Sequence, residues 1–191
     1  MKAAAITLMI IMALALQTSL ARFLTPGGGL VDFVFIAVVY IALSSGPTAG
    51  MIAGAVAGLS QDALAASGTL SVVIGSDRGV TTQSIIGIGS LAKTVVGFFA
   101  GIIGSQFIVA RPLPRALVFF TATVTHAIIF IGLYRVIDRG YTQSSMGAIL
   151  SQAGANALVG VLVFQIADFL PNFVDRRRSM GGRMRINRRL D

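Results

Sequence analysis

Six blocks of largely apolar sequence are separated by short polar or glycine-rich breaks. They run from about Ala3 to Leu20, Leu30 to Leu43, Pro47 to Ala66, Ser84 to Val109, Pro114 to Val136 and Met146 to Leu170. Blocks of this length and polarity predict helices that cross a bilayer, which needs roughly 20 apolar residues per crossing. The second block is short for a full crossing. Between the second and third blocks, Ser44-Ser45-Gly46-Pro47 predicts a tight turn, with Ser45 placed to cap the third helix and Pro47 in its first turn, where a missing N–H costs nothing.

Composition turns this pattern into a class. The chain has 191 residues, 55% hydrophobic and 12% charged, with a mean hydropathy of +0.85. That balance predicts an all-α polytopic membrane protein, a bundle of six transmembrane helices over residues 1–170, with almost nothing left for a soluble domain. Residues 171–191 predict a polar, basic cytoplasmic tail, partly ordered at most. Lys2, an apolar core and Ser19-Leu20-Ala21 also give a passable secretory cleavage site. The apolar core is long for a signal peptide, however, and cleavage would leave an odd number of spans.

The net charge of +8 suggests nucleic acid until it is mapped. With six spans the termini share a side. That side carries Lys2, Arg111, Arg115 and Arg176, Arg177, Arg178, Arg183, Arg185, Arg188 and Arg189; the other carries Arg22, Arg78, Arg135 and Arg139. The asymmetry predicts cytoplasmic termini and no nucleic-acid role. The tail arginines also suit anionic lipid or an acidic cytoplasmic partner. The segment 67–83 on the opposite side has β-branched residues and turn signals that fit a small hairpin or re-entrant loop.

The third block holds the most specific pattern. Gly46, Gly50, Gly54 and Gly58 recur every fourth residue and lead to Asp62. On a helix they form one smooth ridge, widened by Ala49, Ala53 and Ala57, that a second backbone can approach closely. In water each such glycine costs about 1 kcal/mol against alanine; in lipid, close helix contact is the return. Gly97 and Gly101 in the fourth block read as a second close-contact face. These glycines predict a helix-packing or partner interface.

Ionisable and amide groups inside the blocks are few. Asp62, Lys93, His126, Gln152 and Asn156 fall at comparable depth, and Asp62 and Lys93 are within reach of each other as a pair. One reading is an internal lock that fixes helix register. The other is a substrate or ion site, or a polar socket for another helix. Catalysis has little support. Ser84, Ser90 and Ser105 lack a nearby His and acid, and there is neither a nucleophile elbow nor a phosphate-binding loop. With one His, no Cys and no Glu, a protein-built zinc site and disulfides are not expected. No cofactor is expected.

Asp32 opening a short second span, the run Val39-Tyr40-Ile41-Ala42-Leu43, then G-P-x-x-G-x-x-x-G-x-x-x-G-x-x-Q-D with Gly68 and Lys93 downstream, resembles the rod shape-determining protein MreD family. The resemblance is best from about Val31 to Gly101. It implies a non-enzymatic bacterial inner-membrane subunit of the cell-elongation complex, helping to organise peptidoglycan synthesis. The implied partners are MreC, MreB, a SEDS glycosyltransferase and a class B penicillin-binding protein. It also implies a bundle similar to the substrate-binding subunits of energy-coupling-factor vitamin transporters, with Gly50, Gly54, Gly58 and Asp62 as the family signature. A transporter subunit of that fold is the alternative. Against it, the first span has no alanine pair four apart, and the chain has no Trp and three Tyr to line a pocket.

Overall fold

The computed structural model describes residues 2–24, 31–66, 86–106 and 111–137, together with 146–187, with side chains described up to Phe169. The segment 67–83, with its expected hairpin, lies outside these residues, as do the side chains of the tail arginines.

Six helices and no strand are present among the described residues: α1 (Lys2–Leu24), α2 (Phe33–Ser45), α3 (Pro47–Ala66), α4 (Ile88–Gln106), α5 (Pro112–Ile137) and α6 (Met146–Asn187). Their order and limits follow the six apolar blocks, except that α6 continues through the tail. Among the described residues three stretches are long and apolar enough to cross a membrane: Ile88–Gln106, Pro112–Ile137 and Met146–Phe169. Shorter apolar runs occupy Ala4–Leu20 in α1 and Phe33–Ser45 in α2. In α3 the glycines, alanines and the Gln61-Asp62 end dilute the apolar character.

The short helix sits at the centre. α2 touches each of the other five helices, and Val34 to Val39, Ile41 and Ala42 are all buried. At 13 residues it is about 20 Å long, well short of the ~30 Å hydrocarbon core. Its neighbours run past its start: α5 continues from Thr123 to Ile137, and α6 begins at Met146, well before Asn156. Two apolar clusters hold it. Phe35, Ile36, Val39 and Ala42 meet Val96, Ala100, Phe119 and Phe164 on α4, α5 and α6. Val34, Ala37, Val38 and Ile41 meet Ile10 and Ala13 of α1 with Ala53 and Ala57 of α3. Ala53 and Ala57 therefore belong to the face that meets α1 and α2, beside the glycine ridge rather than as part of its contact with α4.

The turn from α2 to α3 is one residue, Gly46. Its φ of +94° suits glycine. Its N–H donates to the Ala42 carbonyl at 2.9 Å and its carbonyl accepts from the Gly50 N–H at 3.0 Å, so it closes one helix and opens the next. Ser45 is the last residue of α2 and is not the cap expected for α3. Pro47 is the first residue of α3, as its missing N–H predicts.

Candidate functional site

The glycine ridge is used within the chain. A Cβ on Gly50 would strike the Gly97 carbonyl, and one on Gly97 would strike the Gly50 carbonyl. Gly54 lies against the backbone of Lys93 and Thr94, and Gly58 against Ser90. Gly101 lies against Pro47 and the Gly46 carbonyl carbon. The two faces read from the sequence are thus the two sides of one α3–α4 contact. Gly46 joins it through its backbone in the turn, not as part of a helical ridge. Backbones this close are held by dispersion over the whole seam, and Ser90 Oγ donates to the Ala55 carbonyl across it at 3.0 Å.

Asp62 ends the ridge by capping α4. Its Oδ2 accepts from the Gly87 N–H at 2.9 Å and the Ser90 N–H at 3.1 Å. These are first-turn donors that α4 cannot satisfy itself, and a carboxylate there also complements the helix dipole. Gly89 leaves room for it: a Cβ at that position would collide with the Asp62 carboxylate. The expected pairing of Asp62 with Lys93 is corrected accordingly. Lys93 Nζ lies 3.5 Å from Asp32 Oδ2, with side-chain exposures of 5% and 12%. Lys93 turns to α2, whereas Asp62 turns to the end of α4, so the two lie on different faces.

Asp32 organises a polar layer at the start of α2. Its Oδ1 accepts from the Phe35 N–H at 2.9 Å, capping α2. Its N–H donates to Asn156 Oδ1 at 2.9 Å. Asn156, fully buried, donates through Nδ2 to Thr123 Oγ1 at 3.3 Å, and Thr123 donates to the Phe119 carbonyl at 2.8 Å. From α1, Gln17 Oε1 accepts from the Phe33 N–H at 2.7 Å. A helix that begins within the bundle must have its free N–H groups satisfied by protein, and α1, α2 and α6 each supply an acceptor.

The layer therefore contains Lys93 and Asn156 together with Asp32, Gln17 and Thr123. His126 sits at its edge with ring centroids 5.0 Å from Phe35 and 6.0 Å from Phe130. Its Nε2 is buried without a hydrogen-bond partner among the described residues. Gln152 is half-buried and makes none of these bonds. The signal for Asp32 was legible as an Asp just before an apolar run, the mark of a helix start. Gln17 carried a weaker one, an amide within an apolar helix.

At the opposite end of the bundle, Arg115 donates to Asp168 Oδ2 at 2.7 Å and lies 4.4 Å over the Phe164 ring. This joins α5 to α6. No cluster of three or more metal-ligating side chains occurs among the described residues. Comparison of the chain with protein-family models, curated proteins and solved structures gives no match.

Proposed function

We propose that this chain is a non-enzymatic, multi-pass scaffold subunit of the bacterial cell-elongation complex, of the MreD type, in the inner membrane. In this reading the chain crosses the bilayer six times and both termini are cytoplasmic. The observation that carries it is the use made of the signature residues. Gly50, Gly54, Gly58 and Asp62 are spent on seating α4 and closing its first turn. Asp32, Asn156 and Gln17 are spent on holding α2. Polar groups committed to such bonds build a rigid body instead of a reaction centre.

What is left for function is surface. Leu8, Ile11, Met12 and Leu16 of α1, Leu117 and Ile128 of α5, and Leu158, Leu162 and Ile166 of α6 are exposed. Apolar faces of this kind suit lipid and the membrane helices of partners such as MreC, MreB-associated synthases of the SEDS class and class B penicillin-binding proteins. The basic tail suits anionic lipid at the cytoplasmic face.

The test is co-purification of the tagged, full-length protein from its native membrane, together with depletion in a rod-shaped host. Recovery of MreC and cell-wall synthases, with rounding of depleted cells, is the expected result. An ATPase module in the eluate, with unchanged cell shape, would replace this reading by the transporter one.

A further inference from the structure

Two buried polar atoms have no hydrogen-bond partner among the described residues. Gln61 is 8% exposed and its Oε1 is one of them. The other is His126 Nε2. Leaving a buried acceptor or donor unmade costs about 1–3 kcal/mol, so two such atoms in one small protein call for a physical account.

Register sets Gln61 at the level of the Lys93–Asp32 pair, and His126 packs on Phe35 in the first turn of α2. α2 and α3 are antiparallel about Gly46, and Gly50 abuts Ala42. Gln61 lies as far beyond Gly50 as Val31 lies before Ala42, so it is level with the start of α2. Helical side chains tilt toward their own N-terminus. The Gln61 amide is therefore carried inward along α3, while the Lys93 stem, starting level with Gly54, is carried outward along α4. Both side chains therefore reach toward the level of Asp32. His126 approaches from α5, its ring against Phe35. Lys93 offers three donors, and its one partner among the described residues is Asp32 at 3.5 Å.

We propose that this corner is a hydrated chamber: water molecules bridge Gln61 Oε1, the Lys93 ammonium, Asp32 Oδ2 and His126 Nε2. The chemistry selects water over an ion. Lys93 and Asp32 cancel in charge, so neither an anion nor a cation gains a net Coulomb partner. Gln61 Oε1 requires a donor, and imidazole Nε2 takes either role. Water is both donor and acceptor, and buried water characteristically makes about three bonds to otherwise unsatisfied groups. The chamber does not rest on the elongation-complex reading.

Two properties of the chain make the test direct: it has one His and no Cys. Protein labelled with 15N-histidine, reconstituted in bilayers, gives a single imidazole signal, and water-edited NMR reads its hydration without mutation. Polarisation should pass from water to His126. In nanodiscs, Gln61→Cys should react with a small charged methanethiosulfonate reagent about tenfold faster than Ala42→Cys or Ala57→Cys, whose sites are fully buried and lined by apolar side chains. No water transfer to His126 would overturn the proposal even if the cysteine variant failed to fold. Transfer to His126 with Gln61→Cys as inert as the alanine-site controls would overturn the continuous chamber.

Discussion

The ammonium of Lys93 faces the carboxylate of Asp32 across 3.5 Å, and both side chains are close to fully buried. The pair joins α4 to the central helix at the level where that helix begins. Asp32 also caps α2 and, through its N–H, binds Asn156. One residue thus ties α2 to α4 by charge and to α6 by a hydrogen bond.

Breaking this pair should be costly and coupled. Asp32→Asn or Lys93→Met alone leaves an uncompensated buried charge, which typically costs about 3–5 kcal/mol. The double variant should lose less than the sum. Thermal midpoints of the purified variants in detergent would show it. Strict additivity, or coupling of Lys93→Met with Asp62→Asn instead, would mean the partner is wrongly assigned.

Gly54→Leu should collapse the α3–α4 seam, since even a Cβ there meets the Lys93 backbone. Overpacking against a side chain costs about 1–3 kcal/mol; against backbone the loss should reach or exceed the upper figure. Met51→Leu, at an exposed position off the ridge, should be mild. Folded yield by size-exclusion chromatography separates the two, and equal tolerance would place the ridge against lipid.

Asp62→Ala should cost about 1 kcal/mol through loss of the α4 cap, and Asp62→Asn should retain most of it, because asparagine caps nearly as well. Stability measured against temperature would read this directly. If Asn were as damaging as Ala, the charge of Asp62 would matter more than its acceptor geometry.

Asn156→Leu keeps the volume but strands the Asp32 N–H and costs about 1–3 kcal/mol. Gln152→Leu, one turn earlier on α6 and outside the network, should be near neutral. Amide hydrogen exchange at Asp32 should accelerate only in the first variant. Equal exchange in both would show that Asn156 does not secure the start of α2.

A reporter active only outside the cytoplasm, fused after Asp191, should stay silent if both termini are cytoplasmic. A strong signal would reverse the assigned topology.

The sequence by itself determined the helices and their order. Each is encoded in a contiguous apolar run closed by local turn chemistry, as at Gly46-Pro47. It also determined that Gly50, Gly54 and Gly58 form one face and Gly97 and Gly101 another, because spacing along a single helix fixes which residues share a side. Only the tertiary structure decided which groups meet across helices. Depth along the chain paired Lys93 with Asp62, whereas its partner is Asp32, a choice that depends on how α2, α3 and α4 are rotated about their axes. That rotation is set by the glycine seam and the apolar clusters together, which no local pattern specifies. The same holds for Asn156 reaching a backbone N–H 124 positions away. An N–H left free at a helix start takes whichever acceptor the folded neighbours bring to it.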